Sequence, residues 1–149
     1  MLALDTGQVW WQHEASSYRG LTLGGDTLYI ATADGEVVAL NAKNGAELWR
    51  QKALLHRGLS TPARLDDSIV VGDFQGYLHW LDRSTGALAA RASTGKTRIS
   101  TAPVAAGNTV VVINDRGQIS AFRVTPLKRA VAPRRKIPET PPPSRDQSQ

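Results

Sequence analysis

The sequence predicts an all-β fold made of β-propeller blades, each with four antiparallel strands. Glycines that mark one hairpin turn recur every 41 residues, at Gly35, Gly76 and Gly117. Short β-branched and alternating apolar runs lie between turn residues throughout, whereas no run holds a 3.6-residue apolar spacing over about ten positions. A period of about 40 residues with four strands per copy is typical of propeller blades.

The central copy defines the elements of one blade. Its apolar runs predict strands at 61–65, 68–74, 77–82 and 88–91, separated by turn residues. Gly76 stands where a tight hairpin needs a residue that tolerates positive φ. A second turn is marked by Asp26, Asp67 and Asn108, again 41 residues apart. Two markers with the same period therefore support one repeating unit.

The turn before the outer strand is a third repeated feature. Residues 40–49 read LNAKNGAELW, and weaker copies occupy 4–11 and 81–90. Four positions after the turn glycine stand Trp11, Trp49 and Ala90, so the third copy lacks the tryptophan. We expect both tryptophans to dock on the adjacent blade, because one small sheet cannot cover both of its own faces.

The number of copies is too small for a closed ring. Residues 14–124 hold nearly three blades and residues 1–13 supply the end of another, whereas closed propellers take about four to eight blades. We therefore expect a partial propeller over residues 1–124, with two bare blade faces. Met1 falls at the start of a strand, which favours the C-terminal part of a longer propeller over copies that assemble to complete one.

The charge lies mainly in the last 25 residues. The chain has a net charge of +5, but the segment 125–149 holds six basic and two acidic residues with six prolines. We predict that this tail is disordered, as a solvated extension or as a contact for anionic lipid or an acidic partner. The propeller part gives no indication of nucleic-acid binding. No signal peptide or transmembrane stretch is recognised, and the chain has no cysteine for disulfides or thiol chemistry.

The residues that could carry chemistry do not form a recognisable site. The three histidines lie in different copies, without further ligands at metal-binding spacing, and are predicted to be polar surface or blade-edge residues: His13, His56 and His79. Asp66, Asp67 and Asp73 are predicted to be turn residues that hydrogen-bond their own backbone. We therefore predict no catalytic, cofactor-binding or metal-binding residue.

The segment Leu54-Leu55-His56-Arg57 is the least repetitive part of the body and falls between two blades. Non-repeating loops on a regular scaffold often carry binding. The sequence leaves two interpretations open, a structural filler and a binding loop, and it does not identify partner-binding residues.

Two stretches carry a family resemblance. The pattern at 39–49 resembles the pyrroloquinoline-quinone (PQQ) repeat propellers, and residues 54–62 with 70–80, including GDFQGYLHW, resemble the BamB family of the outer-membrane β-barrel assembly machine. The resemblance implies an eight-bladed, non-enzymatic scaffold without a cofactor, on the periplasmic face of the outer membrane. It also implies docking to BamA-type POTRA domains and help in delivering unfolded barrel proteins.

The chain departs from that family pattern in three respects. It lacks about five N-terminal blades and the lipidated cysteine through which the family is anchored to the membrane, and it adds the basic tail. Its last copy, 102–124, has room for only three strands, which fits a ring closed by an N-terminal strand. The alternatives are a fragment of a PQQ-dependent dehydrogenase, whose calcium ligands and vicinal cysteines are missing here, and a short protein that oligomerises through its open blade ends.

Overall fold

The computed structural model describes residues 7–124, which form three antiparallel sheets and no helix. Each sheet is a meander in which strands adjacent in sequence pair with each other. The first sheet contains β1 Leu21–Gly24, β2 Thr27–Ala31, β3 Val37–Asn41 and β4 Glu47–Gln51; the second contains β5 Ala63–Leu65, β6 Ser68–Gly72, β7 Tyr77–Asp82 and β8 Leu88–Ser93; the third contains β9 Val104–Ala106, β10 Thr109–Ile113 and β11 Ile119–Arg123. The predicted all-β, four-stranded blade is confirmed, and the last copy has the three strands expected of it. The predicted tail, 125–149, lies outside the described residues.

The strand boundaries of the central blade differ from the prediction at three ends. Strand β5 begins at Ala63 because Pro62, just before it, has no N–H to donate to a ladder. Strand β6 ends at Gly72 because Asp73 turns the chain and its Oδ1 accepts hydrogen bonds from the next amides. Strand β8 runs on to Ser93, which pairs with the first residue of β7.

The hairpin between the second and third strands of each blade is built as predicted. Its glycine has φ of +94° at Gly35, +85° at Gly76 and +81° at Gly117, the left-handed region that favours glycine. The pairing of the third strand with the fourth also shifts at equivalent places, between Ala39 and Leu40 and between Trp80 and Leu81. The repeat in the sequence is therefore a repeat in backbone geometry.

The core lies between the sheets rather than within any one of them. One cluster joins the first blade to the second, with Tyr29 and Val37 against Val71, and another joins the second to the third, with Trp80 against Val110. The middle blade is consequently covered on both faces, whereas the outer faces of the end blades are open: Leu23 of β1 is 61% exposed and Ile119 of β11 is 71% exposed. The expected bare faces are therefore present in the described part of the chain.

The tryptophans dock on the next blade, as predicted. The indole Nε1–H of Trp49 donates to the carbonyl of Arg83 at 2.9 Å. A Cβ on Gly86 would lie only 2.4 Å from the Trp49 ring, so the turn needs glycine to let the ring approach. Trp11 covers Gly45 in the same way, at 2.5 Å. This contact ties the outer strand of one blade to the turn of its neighbour.

Candidate binding cleft on the second blade

The non-repeating loop bridges the hairpin turns of the first and second blades. The amide of His56 donates to the backbone carbonyl of Asp34 at 2.7 Å, and the amide of Phe74 donates to the backbone carbonyl of Arg57 at 3.0 Å. Leu54 is buried in the core cluster between the two blades, whereas His56 is exposed, with φ of +61°. The loop thus combines a packing role at its start with an open surface at its centre.

Asp73 is the centre of a buried polar cluster. Its side chain is fully buried, and Oδ1 accepts the amide hydrogens of Gln75 and Tyr77 at 2.9 Å each. Its other oxygen, Oδ2, lies 2.8 Å from Nε2 of His79 and 3.0 Å from Nη1 of Arg57. Four hydrogen bonds therefore hold this carboxylate, which fills its acceptor capacity.

The electrostatics favour the ionised form of Asp73. Burial alone would raise the pKa of this carboxyl, but the hydrogen bonds from His79, the Tyr77 amide and Arg57 outweigh it and hold the pKa below its usual value. Asp73 is consequently an anion at neutral pH, and its contacts with His79 and Arg57 are charge-assisted.

The prediction for His79 was wrong. His79 is 3% exposed and lies inside the fold, because both faces of its strand are covered by neighbouring blades. His13 is half-buried and His56 exposed, in line with the prediction for them.

The predicted role of the aspartates holds in part. Asp73 does bond the backbone of its own turn. Asp66 stands in the turn with φ of +47°, while the carboxylate of Asp67 pairs with Arg83 at 3.3 Å. Within residues 7–124, no group of three His, Asp or Glu side chains is placed to hold a metal ion.

An open cleft of about 330 Å³ lies next to this cluster. Its lining comes from the loop, from β7 and from the outer strand β8: Ala53, Leu54, Arg57, His79, Leu88, Ala89, Ala90 and Arg91. The guanidinium carbon of Arg91 lies 4.7 Å from the centroid of the Tyr77 ring, a cation–π distance. The cleft thus has apolar walls with cationic groups among them, and its lining contains no hydroxyl or thiol nucleophile.

The predicted loop and the aspartate turn meet here, because Arg57 comes from the first and Asp73 from the second. Sequence reasoning missed His79 and Arg91 as members of the same group. A comparison of the copies could have found His79, since the equivalent position of the first blade, Val38, is a buried apolar residue.

Sequence comparisons with known proteins agree on one family. A family model described as outer membrane protein assembly factor BamB matches residues 1–126. A curated relative, the outer membrane protein assembly factor BamB of Marinobacter adhaerens, is 38% identical over 128 residues, which are 85% of this chain and 33% of that protein. The chain spans about a third of the length of the curated relatives it matches.

Solved structures support the same architecture. The crystal structure of BamB from Moraxella catarrhalis matches with a TM-score of 0.75 and 28% identity, covering 83% of this chain and 36% of that one. A quinohemoprotein alcohol dehydrogenase from Pseudomonas putida matches with a TM-score of 0.63 and 21% identity, over 72% of this chain and 19% of that one. The second likeness shows a shared fold alone.

Proposed function

Because the chain belongs to the family of the outer membrane protein assembly factor BamB, we propose that it is part of a non-catalytic scaffold that assists the assembly of outer-membrane β-barrel proteins. The observation that carries this proposal is the family match, which runs through all the described blades and covers residues 1–126. The relatives carry the assembly role in their names.

The geometry supports a scaffold in two ways. Blades joined through buried cores and Trp–Gly contacts form a continuous support, and the loops between them present residues to solvent. The open faces at β1 and β11 fit a position inside a longer ring, where further blades would cover Leu23 and Ile119. We propose residues 1–124 as this blade segment and 125–149 as a solvated tail.

The proposed partners are BamA-type POTRA domains and unfolded outer-membrane proteins, at the periplasmic face of the outer membrane. The described residues contain no helix that could cross a bilayer. We propose that the family's lipid anchor, rather than these blades, holds the scaffold at the membrane.

The alternative, a PQQ-dependent dehydrogenase, has only the shared fold in its favour, since the dehydrogenase structure quoted above is under 25% identical. Quinone enzymes of this fold are expected to hold calcium with acidic side chains. Residues 7–124 offer no cluster of that kind, and the buried Asp73 already has its oxygens occupied by protein donors.

The test is co-purification of the complete protein that carries these blades with purified BamA-type POTRA domains. We expect a stable complex on affinity resin at physiological salt, and no complex with an unrelated PQQ-type propeller used in its place. Repeated absence of the complex, with circular dichroism showing a folded β protein, would contradict the proposal. A calcium-dependent change in quinone absorbance on adding PQQ would favour the dehydrogenase.

A further inference from the structure

The second blade differs from the first at the buried positions that surround the cleft. The period of 41 residues places His79 at the position of Val38, and Asp73 at the position of Thr32. Val38 is a fully buried apolar residue, so the blade fold itself is satisfied by an apolar side chain at this point. Burying an imidazole instead has a desolvation cost, which indicates a role that the repeat does not require. The Asp73 position, in contrast, accepts the equivalent turn amide in every blade, through Thr32 Oγ1 in the first and Asn114 Oδ1 in the third.

The equivalent arginines of the outer strands also have different neighbours in the two blades. In the first blade, Arg50 forms ion pairs with Glu36 and Glu47. Hydrogen bonds to these two carboxylates raise the pKa of the guanidinium. The equivalent arginine of the second blade is Arg91, and the two carboxylate positions are taken by a tyrosine and a leucine.

Arg91 therefore carries a charge that is left without an acidic partner. It lies over the ring of Tyr77, and the described residues form no ion pair with it. The cleft has a second guanidinium in Arg57, which shares the single carboxylate of Asp73. Two guanidinium groups against one buried carboxylate give the cleft an excess of positive charge, which favours an anionic ligand.

His79 adds a second requirement for the ligand, a hydrogen-bond donor in a fixed direction. Its Nε2 is engaged with Asp73 at 2.8 Å, and because Asp73 is an ionised acceptor we assign the proton to Nε2. In the neutral imidazole Nδ1 is then a hydrogen-bond acceptor. No residue between 7 and 124 donates to it, and it is not one of their fully buried unpaired atoms, so it is open to the cleft that His79 lines. A ligand in the cleft can supply a donor here in place of water.

A ligand that meets both requirements has a carboxylate and an N–H group close together, with an apolar neighbour. An acidic residue within a polypeptide has this combination, whereas sulfate or a simple ionised carboxylic acid has no hydrogen-bond donor. The cleft volume of about 330 Å³ lies at the lower end of the range for small-molecule pockets, about 300–1,000 Å³. The cleft therefore has room for one side chain with its backbone.

We propose that this cleft binds an Asp or Glu side chain of a partner polypeptide. The carboxylate contacts the guanidinium groups of Arg91 and Arg57, and the backbone N–H of the acidic residue donates to Nδ1 of His79. An apolar side chain next to it in the partner packs on Leu54 and Leu88.

The test uses the full chain with ¹⁵N-labelled imidazoles and follows Nδ1 of His79 by NMR, with His13 and His56 as internal controls. The probes are acetyl-Leu-Glu-amide, acetyl-Leu-Gln-amide and inorganic sulfate at neutral pH. We expect a saturable shift of the His79 resonance with the glutamate peptide alone. Arg91→Gln should weaken binding roughly tenfold, the effect of one charge-assisted hydrogen bond, and Arg116→Gln, on an exposed turn of the third blade, should leave it unchanged.

Three results would overturn the proposal: no saturable shift with the glutamate peptide, an equal shift with the glutamine peptide, or an equal shift with sulfate. Arg91 is exposed, so its replacement is expected to leave the fold intact and keep the comparison valid. The measurement involves no POTRA domain, and its outcome is therefore separate from that of the proposed function.

Discussion

Replacing Gly76 by alanine tests how the blades are joined to the loops that connect them. A Cβ on Gly76 would lie 2.6 Å from the carbonyl oxygen of Gly95 and 2.7 Å from that of Thr97. Both atoms belong to backbone, which cannot rotate away as a side chain can. The substitution therefore forces the connection after β8 away from the hairpin turn. The hydrogen bond that the Thr94 amide donates to the Gly76 carbonyl is disrupted by the same movement.

The expected loss has two parts. Placing alanine at φ of +85° costs roughly 1–2 kcal/mol, and overpacking against fixed atoms costs roughly 1–3 kcal/mol. We expect Gly76→Ala to lower the free energy of unfolding by about 2–5 kcal/mol, the sum of these two parts. Gly117 supplies the matched control, because its φ is +81° while no atom lies within 4 Å of an added Cβ. Gly117→Ala should therefore show the backbone part alone.

The assay is urea unfolding followed by tryptophan fluorescence. With a slope of about 1–3 kcal/mol per molar urea, a difference of about 2 kcal/mol between the variants should separate their midpoints by about 1 M. Gly35→Ala belongs with Gly76→Ala, since its Cβ would lie 2.5 Å from the carbonyl of Leu54. Equal destabilisation by Gly76→Ala and Gly117→Ala would refute the packing argument.

Three further predictions address the blade contacts and the buried cluster. Trp49→Phe keeps an aromatic ring but loses the hydrogen bond to the Arg83 carbonyl; it should cost about 1 kcal/mol in urea unfolding followed by circular dichroism, and unchanged stability would contradict this. Ile99→Ala, at a fully buried site, should cost about 2–5 kcal/mol, whereas the exposed Ile119→Ala should stay within about 0.5 kcal/mol; equal losses would contradict the assigned core. Because the pKa of Asp73 is lowered by folding, its carboxylate stabilises the fold above the usual pKa of about 4, and this contribution is lost as the pH falls through the folded value. The stability advantage of wild type over Asp73→Asn should therefore shrink as the pH falls below about 4, and an advantage that does not change there would speak against it.

The features that could be predicted from the sequence are those that depend on local chemistry. The glycine turns need positive φ wherever they occur, so Gly35, Gly76 and Gly117 marked the period correctly. The Trp49 contact was predictable as well, because a large aromatic ring at a repeated place on an outer strand has a neighbouring blade beside it. Both signals are the same in every copy and do not depend on distant parts of the chain.

The burial of His79 does not follow from such local signals, and only its difference from Val38, the equivalent residue of the first blade, marks it in the sequence. The face of a strand that a side chain occupies follows from alternation, but β7 is apolar on both faces because a blade lies on each side. The apolar pattern along β7 therefore does not indicate whether the side chain of His79 is buried or exposed. Its burial depends on the packing of the first blade against the second, and the sequence pattern around its partner Asp73 predicts only a turn residue.

The two interpretations of the loop at 54–57 turn out to describe different residues. Leu54 fills the core between two blades, as a structural filler would, and three residues later Arg57 reaches the carboxylate of Asp73 and lines the cleft. In a repeat protein, positions that agree between copies maintain the stacking, since each blade must fit the next. A position that differs between copies and is nevertheless buried and polar, as His79 is, has a cost that stacking does not explain. The place to look for function in such a chain is therefore where one copy departs from the others inside the fold, and the cleft of the second blade is the point at which several such departures meet.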